Sequence, residues 1–185
     1  GTAERAGAAA AADSNSVTVE GGTLTAASDV YGGTVEAVGK DAPVTASASE
    51  NTVTLSAVAP WRQVRGGRVR ASADGAAATA TASKNTLNLA YGTFTAEIAG
   101  GYAITDGAGG QATANENTVN ISSGIYQDSI YAATADAGSE AGTVATVKDN
   151  RIVITGTPNL SAAQLHGYKA VGATKNIAGN ALVVK

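Results

Sequence analysis

The sequence predicts an all-β parallel β-helix, or β-solenoid, of about five coils with roughly 30–36 residues per repeat. A phrase that begins with asparagine recurs along the chain, and its asparagines are 36, 34, 32, 33 and 30 residues apart. Within each phrase apolar residues alternate with other residues, which is the period of a strand with one buried face. The phrases are Asn15–Val19, Asn51–Leu55, Asn85–Leu89, Asn117–Ile121, Asn150–Ile154 and Asn180–Val184.

The composition also favours a solenoid. Hydrophobic residues make up 44% of the chain but aromatic residues only 4%, Met is absent and Phe occurs once. Small apolar side chains suit a narrow interior. The absence of cysteine excludes disulfides and thiolate metal sites. A formal charge of -3 gives no general electrostatic reason to expect binding to nucleic acid or to an anionic membrane.

The repeats set the domain organisation. We interpret residues 1–14 as the tail of a truncated preceding repeat, and Gly1 as the start of a fragment of a longer protein. The alanine run in that tail resembles the small-residue segment before Asn85, so we expect a strand there instead of a helix. A single solenoid domain then spans 15–185, with repeats that start at 15, 51, 85, 117 and 150 and a partial repeat at 180.

Each repeat is predicted to supply three or four short strands. After the asparagine phrase comes a turn, then a second apolar stretch that ends in small residues, where we expect a sharp turn or a close backbone approach. A third segment, a polar loop of variable length and a small-residue strand complete the repeat. The small-residue positions are Gly32–Gly33, Gly66–Gly67, Gly100–Gly101, Ala132–Ala133 and Gly167–Tyr168.

Stacking of such repeats places equivalent residues above one another. About five coils at about 4.8 Å each form a rod about 24 Å long. The asparagines Asn15, Asn51, Asn85, Asn117, Asn150 and Asn180 are then expected to form a ladder at one corner. Asparagine tolerates the left-handed conformation of a corner, and its amide can bond to the next asparagine in the stack.

The alternating residues of the phrases are expected to line the interior. A β-sandwich is the competing fold, but sandwich strands are not copies of one another. The expected interior residues are Val17, Val19, Val53, Leu55, Leu87, Leu89, Val119, Ile121, Ile152 and Ile154.

The phrases Val30–Gly33 and Asn51–Leu55 resemble the passenger repeats of Gram-negative autotransporter adhesins, and the segments Asn159–Tyr168 and Gly179–Val184 look like the closing repeats of such passengers. The resemblance covers essentially the whole chain. It implies a parallel β-helix, secretion through an outer-membrane barrel and display at the cell surface. Membrane attachment is then expected only through a C-terminal barrel that is not part of this sequence.

The sequence shows no pattern of catalytic residues. His166 is the sole histidine and occupies a variable repeat position, so we predict no catalytic residue, no cofactor and no metal site. Carbohydrate-cleaving β-helices need clustered carboxylates. The acidic residues here share no repeat register: Asp29, Glu36, Asp74, Glu97, Asp106, Asp128 and Glu140.

One segment is unusual, because it holds the only tryptophan and four of the twelve basic residues. Alternation directs Arg68 and Arg70 outward on either side of Val69. Tryptophan with arginine can stack on sugars and bind carboxylates or sulfates. The other interpretation is a charged strand that discourages lateral association. The candidate ligand patch is Trp61, Arg62, Arg65, Arg68 and Arg70.

We therefore predict a non-catalytic, surface-displayed segment of an autotransporter-like adhesin that acts as a stalk, in cell or matrix attachment, or in both. The candidate partners are a host-cell surface glycan and a matrix protein. Open strand edges at the ends of a solenoid also predict end-to-end self-association. The alternative is a carbohydrate-binding or polysaccharide-cleaving β-helix protein.

Overall fold

The computed structural model describes residues 2–4 and 7–185. They form a stack of coils in which three parallel sheets run along the solenoid axis. The predicted fold class is confirmed: the structure is a parallel β-solenoid of about five turns, and all of its strand pairs are parallel. In the described part of the chain, no helix is long and apolar enough to cross a membrane.

Each repeat contributes to the three sheets in the same order, which we name C, A and B. The asparagine phrases form sheet C. Its strands are β3 (Ser16–Thr23), β6 (Thr52–Val58), β9 (Thr86–Leu89), β13 (Thr118–Ile121), β17 (Arg151–Ile154) and β21 (Ala181–Val184).

Sheet A contains the longest strands. Its main path is β1 (Thr2–Glu4), β4 (Ser28–Lys40), β7 (Pro60–Asp74), β11 (Ile98–Asp106), β15 (Ser129–Asp136) and β18 (Gln164–His166), and the short strands β10 (Thr93–Phe94), β14 (Ile125–Tyr126) and β19 (Lys169–Val171) pair beside it.

Sheet B contains the small-residue strands that lead to the next asparagine. Its strands are β2 (Ala9–Ala11), β5 (Val44–Ser47), β8 (Ala78–Thr81), β12 (Gln111–Thr113), β16 (Val144–Lys148) and β20 (Thr174–Ala178). The alanine run near the N-terminus is a strand, and Ala9 pairs with Thr45 as the equivalent strands do further along the stack.

The asparagines form one continuous hydrogen-bonded ladder. Each backbone N–H and each side-chain Nδ2 of one asparagine donates to the Oδ1 of the asparagine in the next repeat. For Asn85 and Asn117 both distances are 3.0 Å, and the ladder joins all copies from Asn15 to Asn180. Asn51, Asn85, Asn117 and Asn150 are fully buried. Each buried amide therefore has its partner inside the stack.

The prediction that asparagine itself adopts the left-handed conformation at this corner is wrong. The left-handed residue is the one before it, such as Glu50 with φ of 60° and Lys84 with φ of 57°. These preceding residues are exposed, and Ser14, Glu116, Asp149 and Gly179 take the same conformation. The chain turns at the exposed residue, so that the asparagine side chain points inward.

A second ladder, absent from the sequence predictions, runs along the outside of the same corner. The side chain two residues before each of the first four asparagines accepts the equivalent backbone N–H of the next repeat. Ser83 N–H donates to Ser49 Oγ at 3.1 Å, and Asn115 N–H donates to Ser83 Oγ at 3.0 Å. The corner is thus fixed by side-chain hydrogen bonds on both sides of the left-handed residue.

The paired glycines lie inside the sheet A strands, opposite the asparagines. Neither Gly66 nor Gly67 has a positive φ, so the chain does not turn there. A Cβ on Gly67 would lie 2.8 Å from Asn85 Nδ2, and it would also meet the carbonyl oxygen of Ala48. Close backbone approach is therefore the reason for small residues at this position. We call the contact between the asparagine ladder and these small residues the waist.

The waist separates two hydrophobic cores. The narrow core lies between the second half of the sheet A strands and sheet B, and it consists of alanine and valine alone. The wide core lies between the first half of the sheet A strands and sheet C, and it contains leucine, isoleucine and three aromatic residues besides valine and alanine. Eight of the ten expected interior residues are buried there, whereas Val17 and Val19 are partly buried.

Candidate functional site on the outer face of sheet A

Trp61 does not belong to a ligand patch, because its side chain is only 1% exposed. It pairs in register with Phe94, which pairs in turn with Tyr126 in the next repeat. The rings of Phe94 and Tyr126 stack with centroids 4.5 Å apart, and Trp61 Nε1 donates to the carbonyl of Tyr91 at 3.4 Å. The interpretation of Trp61 as a sugar-stacking residue is therefore wrong.

The sequence contained a signal for this position. Trp61, Phe94 and Tyr126 follow the asparagine of their own repeat by ten, nine and nine residues. An aromatic residue at a nearly constant distance from the asparagine indicates an interior stack. Burial also raises the pKa of the Tyr126 phenol, whose hydroxyl donates to the carbonyl of Ser123 at 2.8 Å.

Three of the four arginines of the predicted patch form ion pairs with acidic residues of neighbouring repeats. Arg62 donates to Asp29 at 2.8 and 2.7 Å. Arg70 donates to Asp106 at 2.7 Å. The third pair is Arg65 with Glu97, at 3.4 Å.

These pairs change the charge available to a ligand. The hydrogen bonds from Arg62 and from the backbone N–H of Gln63 lower the pKa of Asp29 to about 2, and the acidic partners raise the pKa of Arg62 and Arg70. Arg62 and Arg70 therefore stay protonated, and each positive charge is paired with a carboxylate of a neighbouring repeat.

Arg68 and Arg70 point outward on either side of the fully buried Val69, as the alternation predicted. Within the described ranges, no ion pair shorter than 4.0 Å involves Arg68. It lies in register with Tyr102 on one side. The same outward column continues through Thr134 to Lys169, so that a cation stands at each end of this series.

An adjacent outward column contains Arg65, Ala99, Tyr131 and His166. The two columns contact each other through aromatic side chains. The guanidinium of Arg65 lies over the ring of Tyr102, 3.7 Å from its centroid. Tyr131 stacks on His166 with centroids 4.6 Å apart. The ammonium of Lys169 lies 5.8 Å from the centroid of Tyr131.

Side chains on this outer face cover residues that point away from the core. By register Ala99 and Thr134 face outward, yet Ala99 is 0% exposed and Thr134 is 1% exposed. Arg65 is 6% exposed. We call this surface the roofed patch and define it by Arg65, Arg68, Ala99, Tyr102, Tyr131, Thr134, His166 and Lys169.

Two polar atoms of the roofed patch are buried and have no hydrogen-bond partner among the residues that the structure describes. They are Arg65 Nε and Thr134 Oγ1. The sequence reading included Arg65 in a patch but missed Tyr102, Thr134 and Lys169. The sequence signal for this patch was the tyrosine beside the small-residue pair in three repeats, namely Tyr31, Tyr102 and Tyr131.

His166 is placed at the end of the roofed patch, where it packs on an aromatic ring. A recess of 530 Å³ opens beside it and is lined by Leu165, Tyr168, Asn180 and Leu182, among other residues. A second recess of 350 Å³ lies between the variable loops of repeats three and four and includes Asp106 and Glu140. Among the described residues, no group of three or more metal-binding side chains is found.

Comparisons of this chain with protein-family models, with curated proteins and with solved structures return no match. The likeness to autotransporter passenger repeats therefore rests on the sequence phrases alone.

Proposed function

We propose that this chain is a non-catalytic β-solenoid segment of a surface-displayed, autotransporter-like adhesin, which serves as a stalk and takes part in attachment to a host-cell glycan or matrix protein. The observation that carries the proposal is the continuous asparagine ladder, which runs from Asn15 to Asn180 without a break. A stack whose repeats are joined by buried hydrogen bonds can hold a surface at a fixed distance from its anchor.

The test is to display residues 1–185 on a non-adherent bacterium through an unrelated outer-membrane anchor. We expect the displayed chain to increase retention on cultured epithelial cells or on immobilised matrix protein under flow. The matched control displays the same anchor with a solenoid of equal length and unrelated sequence. Retention no greater than that of the control on every surface would contradict the attachment role.

A second candidate function is carbohydrate binding without a stalk role, and the roofed patch favours it. Tyrosine rings and cations gathered on one exposed sheet face are suited to a sugar ligand. Asp29, Glu97 and Asp106 are each held by an arginine, which favours binding over cleavage. Release of reducing ends from a polysaccharide incubated with the purified chain would instead support the polysaccharide-cleaving alternative.

We also propose that the isolated chain associates end to end. In sheet C of the described structure, β3 pairs only with β6 and β21 pairs only with β17. Leu182 is 52% exposed and Val184 is 72% exposed on the last strand. Sedimentation velocity over a range of concentrations tests this. A monomer at every concentration would contradict it, whereas a growing rod-like species would support it.

A further inference from the structure

The two buried polar atoms without partners lie on the same outer face, in repeats two and four. Native proteins pair nearly all of their buried polar groups, because a buried polar group without a partner destabilises the folded state. The third such atom, Thr105 Oγ1, belongs to the interior column that contains Ala71. Arg65 Nε and Thr134 Oγ1 differ from it, because only side chains separate them from solvent.

The covering side chains are aromatic or long and flexible. The Tyr102 ring lies on the Arg65 guanidinium, and the Tyr131 ring contacts the His166 ring and lies near the ammonium of Lys169. Ala99 occupies the outward position between Arg65 and Tyr131 with a side chain of one methyl group. A rotation of Tyr102 away from the sheet would therefore expose Arg65, with Ala99 as the floor beside it.

The charges of the roofed patch are unequal. Arg65, Arg68 and Lys169 carry three positive charges, and Glu97 is the one acidic residue that pairs with any of them within the described ranges. The Arg65–Glu97 distance of 3.4 Å is long for a charge-assisted hydrogen bond. A carboxylate of a ligand can form a shorter, bidentate pair of hydrogen bonds with the guanidinium.

We propose that the roofed patch is a binding site for a carboxylated saccharide. The inference rests on the proposed attachment function and names the ligand class for it. The carboxylate pairs with Arg65 and Arg68, the ammonium of Lys169 donates to a hydroxyl oxygen of the saccharide, and another sugar hydroxyl bonds to Thr134 Oγ1. The displaced Tyr102 ring packs on the apolar face of the sugar.

Titration calorimetry of the whole chain tests the proposal with two acidic probes, a galacturonate tetramer and sialyllactose. Neutral maltotetraose and lactose are the matched sugars without a carboxylate. We expect at least one acidic probe to bind, its neutral counterpart not to bind, and affinity to fall as salt is raised. Binding of the galacturonate tetramer would indicate a uronate polysaccharide as the ligand, and binding of sialyllactose would indicate a sialylated glycan. Absence of binding by both acidic probes, or equal binding by neutral sugars, would overturn the proposal.

Two variants locate the site. Lys169→Gln should weaken binding about tenfold through loss of a charge-assisted contact, whereas Arg151→Gln, a cation of the same repeat on the outer face of sheet C, should not. Thr134→Val should weaken binding about tenfold without lowering the melting temperature, because it removes a hydroxyl that has no partner in the free protein. Equal effects of Lys169→Gln and Arg151→Gln, or unchanged binding by Thr134→Val, would contradict this placement.

The proposed function and this inference fail separately. Retention of displaying bacteria on cells by a chain that binds neither acidic probe would refute the saccharide site and leave the attachment role supported. Binding of an acidic probe by a chain that confers no retention would support the site and refute the attachment role.

Discussion

The narrow and wide cores share the same coils but achieve burial in different ways. The narrow core uses alanine and valine alone, as in the column Ala46, Ala80 and Ala112. The wide core fills its space with leucine, isoleucine and the aromatic column of Trp61, Phe94 and Tyr126, in which the rings of Phe94 and Tyr126 stack. Sheet A lies against both cores, and the waist divides them.

This difference indicates which kinds of change each core tolerates. A wide core depends on large side chains, so removal of atoms leaves a cavity there. A narrow core has alanine where two sheets lie close together, so added atoms must displace backbone. In coil four the waist itself accepts two extra methyl groups, because Ala132 and Ala133 replace the glycine pair there. There Asn150 Nδ2 also donates to the carbonyl of Ala114 at 2.9 Å.

The largest effect is expected from Trp61→Ala in the wide core. The substitution removes a fully buried ring at the end of the aromatic column and should cost about 3–5 kcal/mol in the free energy of unfolding. Urea unfolding followed by circular dichroism measures it. The control is Tyr91→Ala, whose side chain is 56% exposed and should cost far less. Equal losses of unfolding free energy in the two variants would mean that the wide core is not closely packed around Trp61.

Ala80→Leu probes the narrow core by overpacking. Ala80 is fully buried between Ala46 and Ala112, so three extra carbons should cost about 1–3 kcal/mol. Thr79→Leu on the same strand adds bulk to an outward-facing position and should change stability by about 0.5 kcal/mol or less. Unfolding of both variants in urea gives the difference. A neutral or stabilising Ala80→Leu would show that the narrow core has unfilled space.

The smallest effect is expected at the surface pair of Asp29 and Arg62. The stability change there shows how much an exposed contact contributes in comparison with the two cores. The pKa of Asp29 is lowered to about 2 from 3.8, so its stabilising contribution is present above pH 3.8 and is lost as the pH falls through about 2. Asp29→Asn should therefore lower the melting temperature slightly at pH 7, and the gap should shrink as the pH falls from 3.8 to about 2.

Thermal melts from pH 7 to pH 2 follow that gap, with Asp74→Asn as the control. Among the described residues Asp74 takes part in no ion pair shorter than 4.0 Å. A gap for Asp29→Asn that is constant with pH would indicate that the carboxylate is not stabilised by Arg62.

Most of the fold could be predicted from the repeat phrases. The strict spacing of asparagine, the alternation after it and the small residues in register determine sheet C, the ladder and the waist. What could not be predicted depends on the shape of the cross-section. Trp61 was expected outside, since local alternation beside Arg62 does not reveal that β7 passes the wide core at that point.

The candidate site was harder to predict than the fold. Its members come from four repeats and are adjacent only through register, so no short segment of sequence contains them. Thr134 is not distinctive in sequence, and its burial depends on side chains of neighbouring repeats. The ion pairs of Arg62, Arg65 and Arg70 likewise join residues 32 to 36 positions apart.

The buried asparagine ladder at the waist holds the two cores together. Asn117 is fully buried, accepts two hydrogen bonds from Asn85 and donates two to Asn150 Oδ1. Asn117→Asp keeps the shape of the side chain but replaces the donating Nδ2 by an oxygen. A buried carboxylate facing another oxygen should have a raised pKa.

The free energy of unfolding of Asn117→Asp, measured against the wild type from pH 8 to pH 3, shows whether the ladder is buried and whether it stabilises the fold. A raised pKa in the folded state means that the variant is most destabilised at high pH and recovers as the pH falls and the carboxyl is protonated. We expect a deficit of about 2–5 kcal/mol at pH 8 that shrinks towards pH 3. A deficit that does not change with pH, or no deficit, would contradict the buried ladder.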